Sequence, residues 1–180
     1  MATSNQPPLV IIIGIKGCGK TSVGQDVAKR LNQAWIDSDR VVEKYYAQQQ
    51  GDRLDCKTIV KHHGWDYFRH LETQVFNHLY DLKSGVISTG GSSFFDSKLS
   101  HGFKHAHLII YLSCDIDELH RRWNHQPPPW LTQDISHNDS QQATQARHLC
   151  YTDLADQIID VSKRDINGVC EVILSNPHLQ

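Results

Sequence analysis

Leu9-Val10-Ile11-Ile12-Ile13 runs directly into Gly14-Ile15-Lys16-Gly17-Cys18-Gly19-Lys20-Thr21, and the order of these residues decides the fold. The first five are continuous, apolar and rich in β-branched side chains, the pattern of a central parallel strand covered on both faces. The remainder fits G-x-x-x-x-G-K-[ST], the loop that wraps phosphate, in the strand-loop-helix setting the motif requires. Beyond it, Val23, Val27, Ala28 and Leu31 recur at helical spacing and give the next helix one apolar face. Glycine lets backbone N–H groups turn inward at a helix N-terminus that already favours anions. Candidate nucleotide contacts are therefore Gly14, Gly17, Cys18, Gly19, Lys20, Thr21 and Ser22. The Lys20 ammonium is expected to reach the β- and γ-phosphates, and the Thr21 hydroxyl to join a magnesium shell. A nucleoside triphosphate is the expected ligand.

The 180 residues suggest one domain, long enough to bury roughly 70% of its extended surface. A net charge of −2 argues against a general nucleic-acid binder, which carries a basic face. No apolar run approaches the ~18 residues of a membrane span. Residues 1–8 lack the charged and apolar regions of a signal peptide and read as a flexible tail, followed by a single domain over 9–180. Five scattered cysteines with no CxxC pair read as free thiols in a reducing cytoplasm. His101, His105 and His107 lack the partners of a four-ligand metal set, and they read, like His62-His63, as solvated or capping histidines.

Strands and helices alternate along the chain in the α/β manner. Strands are expected at Leu9–Ile13, Ala34–Ile36, Gly85–Thr89, His107–Leu112 and Gln157–Val161. Helices are expected over about Lys20–Asn32, through Val41, Val42 and Tyr45, over Trp65–Leu82, through Ile116, Leu119 and Arg122, over Ser140–Asp153 and near Asn167–Ser175. Gln48 to Asp52 reads as an exposed loop, and the polar, Pro-rich stretch Asn124 to Asn138 as a mobile cover over the nucleotide.

In such a sheet, ligands sit at the carboxyl ends of the strands. The first strand ends in the phosphate loop and the second in Asp37-Ser38-Asp39, whose two carboxylates are expected to face the γ-phosphate. The third ends in Gly90-Gly91-Ser92, where backbone N–H groups can approach a ligand without side-chain hindrance. Arg69 has Glu72 at i+3 to hold its guanidinium. Each feature alone also suits a helix cap, a surface ion pair or a tight turn; their joint order behind a phosphate loop points to a site.

Those residues carry a resemblance. The chain is similar to shikimate kinase from about Leu9 to Leu174, through GIKGCGKT, WIDSD, GWDYFRHLE, VISTGGSS, LIIYL and RHLCYTDLAD in series. The resemblance implies a P-loop five-stranded parallel sheet between helices, with a substrate-binding segment over about 40–84 and a lid over about 124–138. It implies a monomeric cytoplasmic kinase that uses ATP and Mg²⁺ to phosphorylate a hydroxyl of shikimate. Asp39 would contact the attacking hydroxyl, and Asp37 would hold Mg²⁺ through water. Arg69 and Arg147 would grip the acceptor carboxylate, Gly90 and Gly91 would line the acceptor, and Arg121 or Arg122 would stack on adenine. Two arginines suit a planar carboxylate because each binds it bidentately.

The chain departs from the family in the lid. Where the family has R-P-L-L, this sequence has Pro128-Pro129-Trp130-Leu131, with proline in place of the arginine. Either Arg121, Arg122 or Lys16 substitutes at the phosphates, or the enzyme is slow. Two other readings stay open at this point: a kinase of the same fold for another hydroxy acid such as a sugar acid, and a nucleotide-binding module with little or no catalysis.

Overall fold

A computed structural model describes residues 7–95, 99, 101–123, 128, 131 and 137–179. Five parallel strands form one sheet in the order β2-β3-β1-β4-β5. They are β1 (Leu9–Ile13), β2 (Trp35–Asp37), β3 (Gly85–Ser88), β4 (Leu108–Ser113) and β5 (Gln157–Asp160). β1 is central and every one of its side chains is fully buried, as its unbroken apolar run requires. It pairs with β3 through Val10 opposite Val86 and with β4 through Val10 opposite Leu108. The chain leaves β1 toward β2 on one side and later crosses to β4 on the other. The loop after β1 therefore opens at the switch point where a doubly wound sheet leaves a crevice.

The helices are α1 (Lys20–Arg30), α2 (Ser38–Gln50), α3 (Cys56–Leu79), α4 (Ile116–Trp123), α5 (His137–Leu154) and α6 (Ile166–Leu174). α1 buries Val23, Gly24, Val27 and Ala28 against the sheet. Its C-terminal Arg30 reaches Glu171 at 2.5 Å and Asn167 at 2.6 Å, fastening it to α6. Among the described residues no helix is long and apolar enough to cross a membrane.

Three boundaries differ from expectation. Gln48 to Gln50 are the last turn of α2 rather than a loop, and the helix stops at Gly51, which takes the left-handed conformation (φ 77°) at the C-cap. α3 begins nine residues before Trp65, capped by the Asp55 carboxylate on the Thr58 N–H (2.7 Å), and kinks at Gly64 (φ 84°). A glycine mid-pattern looks like a boundary in the sequence, yet here it joins two packed segments. At the other end, Pro8 is tied in, because its carbonyl accepts the Gly85 N–H at 3.1 Å. The rest of the expected tail, residues 1–6, lies outside the described residues, as does most of the expected lid. His107 accepts the Leu9 N–H at 3.0 Å, and His105 pairs with the Leu82 carbonyl.

Candidate active site

Three glycines shape the phosphate loop, at φ 146° (Gly14), 94° (Gly17) and 92° (Gly19). A side chain at Gly14 would stand 2.6 Å from the Leu112 carbonyl, so only glycine lets the loop rest on the end of β4. Gly19 forms the N-cap of α1 with open space over it, the geometry of an anion cradle. The Lys20 ammonium folds back onto the Ile15 carbonyl (3.0 Å). Cys18 contributes differently from expectation: its N–H donates to Ile15 O inside the loop (3.2 Å) and its thiol is buried. Ser22 is exposed at the start of α1. The Thr21 hydroxyl donates to Asp37 at 3.4 Å, placing two hard oxygen donors side by side at the helix N-terminus.

α4 clips the loop from outside. The Trp123 indole donates to Lys16 O at 2.7 Å, and Arg122 donates to Gly17 O at 3.3 Å and to Val161 O at 2.9 Å. Arg122 also lines an open groove of about 560 Å³ that runs from Cys18 and Gly19 to Arg164, Asp165 and Asn167 at the start of α6. Of the two arginines expected beside adenine, Arg122 borders this groove. Arg121 is exposed and held by Glu118 at 2.7 and 2.8 Å. Arg164 was missed in the sequence, although the strand-end rule finds it once it is applied to β5 as well as to β1, β2 and β3.

On the other side of the loop lies a crevice of about 170 Å³ whose walls include Lys16, Asp39, Glu72, Gly91, Ser92 and Pro128. Arg69 is tied to two of these residues. It is ion-paired with buried Glu72, donates to Ser92 Oγ at 3.2 Å, and lies over the Trp65 ring at 5.3 Å. Glu72 in turn accepts a hydrogen bond from Ser93 Oγ at 2.6 Å. Arg147 on α5 is buried, and burial, reinforced by the nearby charge of Arg69, pulls its guanidinium down to about 10. The two arginines expected to grip one carboxylate are thus electrostatic neighbours, although they lie far apart in sequence.

Burial pushes the Asp39 carboxyl up to about 7, with Asp37 reinforcing the rise and Lys20 opposing it. Space for this carboxylate comes from Gly90, where an added Cβ would stand 2.4 Å from Asp39 Oδ1. The Gly90 N–H does not face a ligand as expected, because it donates to Ser38 Oγ at 2.9 Å. Gly91 likewise supplies room: a side chain there would strike the backbone N of Lys16 at 2.7 Å. Its carbonyl accepts the Tyr151 hydroxyl at 2.9 Å, tying the turn to α5. Asp37 and Asp39 divide their work. Asp37 caps α2 through the Asp39 N–H (3.0 Å), while Asp39 lines the crevice. Cys56, Lys57, Val60 and Phe68 also line it and went unnoticed in the sequence, because only the kinked α3 brings its first turn there.

A phosphate cradle that shares a wall with a carboxylate-bearing crevice belongs to the P-loop kinases of small molecules. A sequence model of the family described as Shikimate kinase matches residues 16–176, and the chain belongs to the shikimate kinase family. Shikimate kinase from Syntrophus aciditrophicus is 29% identical over 96% of this chain and 92% of its own length. Shikimate kinase 2 from Photorhabdus laumondii is 30% identical over 84% and 86%. In fold, the solved shikimate kinase from Acinetobacter baumannii in complex with shikimate matches with a TM-score of 0.78 at 23% identity, covering 93% of this chain and 91% of that one. Membership makes the protein a phosphotransferase with a hydroxyl acceptor.

Proposed function

We propose that the protein transfers the γ-phosphoryl group of ATP to a hydroxyl of shikimate. The observation that carries this is one small crevice that holds Asp39, shares Lys16 with the phosphate loop, and is lined by Glu72 and Ser92, the two partners of Arg69. In this reading, residues 40–84 form the substrate-binding segment and 124–138 the lid. Arg69, held rigid by Glu72, Ser92 and Trp65, binds the acceptor carboxylate together with Arg147. That anchor aims a ring hydroxyl at Asp39. As the acceptor oxygen bonds to the γ-phosphorus, the bond from that phosphorus to the β-phosphate bridging oxygen breaks and ADP leaves. The hydroxyl proton passes to Asp39, whose pKa near neutrality suits a general base. Lys20 exchanges the Ile15 carbonyl for the β- and γ-phosphates. Thr21 and Asp37 would hold Mg²⁺, which neutralises phosphate charge when bound. Arg122 and Arg164 border the groove we assign to the nucleoside. The same reading has the protein acting as a monomer in a reducing compartment, which its five free thiols suit.

A coupled ADP-release assay with Mg-ATP and a panel of hydroxy acids tests the acceptor. Turnover is expected with shikimate, and Arg69→Ala is expected to abolish measurable shikimate binding. Turnover with a sugar acid but not with shikimate would overturn the assignment.

A further inference from the structure

The crevice raises a question of charge. A phosphoryl group crossing from the loop to the acceptor oxygen gathers negative charge on its equatorial oxygens, and a preorganised cation beside it lowers the barrier. Three arginines near the site are bound away from the transfer path. Arg121 is exposed and bound to Glu118. Arg122 is bound to Glu118, Gly17 O and Val161 O. Arg69 is committed to Glu72 and Ser92 at the acceptor end.

Lys16 spans the two halves of the site. It is a residue of the phosphate loop, and it also lines the acceptor crevice with Asp39 and Pro128. Its backbone is located twice over: its carbonyl accepts the Trp123 indole at 2.7 Å, and its amide packs where any side chain on Gly91 would collide. Resting on the proposed shikimate kinase reading, the geometry assigns to Lys16 the role of a catalytic residue that contacts the phosphoryl group in transit between the nucleotide and the acceptor. The charged groups that line the crevice with it are Lys57 and Glu72 from α3 and Asp39 from α2. Partial burial and the like charge of Lys57 both lower the Lys16 pKa. The charge that does the work therefore disappears at a lower pH than an ordinary lysine would allow.

Steady-state kinetics on Lys16→Met, Lys16→Arg, Lys57→Met and Pro128→Arg, alone and combined, test the assignment. Lys16→Met is expected to lower kcat by about 10²-fold, as loss of one transition-state donor does. The KM for shikimate and the Kd for ADP should stay within about threefold, because the contact forms in the transition state. Lys16→Arg should restore most of the rate and remove the alkaline fall in kcat/KM for ATP. Lys57→Met should move that fall to higher pH by removing the neighbouring charge. Pro128→Arg, on the same crevice, should add little to the wild type yet rescue Lys16→Met. A Lys16→Met enzyme with unchanged kcat, or one whose loss lies wholly in KM, overturns the role of Lys16 alone. A wild type that neither binds nor turns over shikimate overturns the acceptor reading, and the Lys16 assignment falls with it.

Discussion

Asp39 carries a carboxyl proton held far from its ordinary range. Buried beside Asp37, with Glu72 and Glu43 adding negative potential, its carboxyl titrates near 7 in the folded chain against about 3.8 for an unperturbed aspartate. In the proposed role of base it must be ionised, so kcat/KM is expected to rise with pH through about 7. Asp39→Asn removes the proton acceptor and is expected to cost about 10²–10⁴ in kcat. The same burial has a stability signature. Between the unfolded and folded values the native chain binds the extra proton, so stability falls as pH climbs through that window and then levels off. Asparagine carries no charge at any of these pH values. The variant should match the wild type near pH 4 and melt a few degrees higher above about pH 7, as read from thermal melts across pH. Equal melting temperatures at pH 8 would show that the carboxylate is not held at a cost.

Among elements, α1 shows most clearly how packing overrides propensity. Gly24 sits inside this helix, where alanine is ordinarily favoured by about 1 kcal/mol. Yet a Cβ on Gly24 would stand 2.2 Å from Ser88 Oγ and 2.8 Å from Trp35 Nε1. Ser88 cannot swing aside without breaking its bonds to Lys20 O (2.9 Å) and Trp35 Nε1 (3.1 Å). Gly24→Ala is therefore expected to destabilise the protein by about 1–3 kcal/mol in urea unfolding, as overpacking does. It should also weaken ADP binding, because the helix N-terminus that is displaced carries the phosphate loop. The kinked α3 follows a similar logic: Gly64 lets one helical run turn, so that Cys56, Lys57 and Val60 join Trp65 and Phe68 on one crevice.

Over the whole molecule, the proposed acceptor site draws on distant parts of the chain. Arg69 comes from α3, Arg147 from α5, Asp39 from α2 and Lys16 from the loop after β1. A ligand that spans them binds the folded state alone. At about 100 times its Kd, shikimate should add about 2.7 kcal/mol of stability. For a chain of this length that is about 5–10 °C in Tm. ADP should raise Tm separately through the loop and the α6 groove. In Arg69→Ala the shikimate shift should vanish and the ADP shift persist. Loss of both would mean that the substitution unfolds more than the acceptor site.

Elements with local causes are legible in the order of the residues alone. An unbroken apolar run makes β1, the spaced glycines and Lys20 make the phosphate cradle, and Asp37 caps α2 from the adjacent strand end. Arg69 with Glu72 was equally legible, because i and i+3 share a helix face. Tertiary structure decided what depends on residues far apart in the chain. That Gly90 and Gly91 act by leaving room for Asp39 and Lys16, and that Arg122 rather than Arg121 borders the groove beside the phosphate loop, follow from how separate elements pack. So does the nearness of Arg147 to Arg69. The α2–α3 boundaries were misread because a glycine breaks a sequence pattern wherever it falls, while only packing decides whether the chain ends a helix there or bends it. Lys16 belongs to both levels: its place in the loop is written in the motif, and its seat on the crevice wall is set by Trp123 and Gly91.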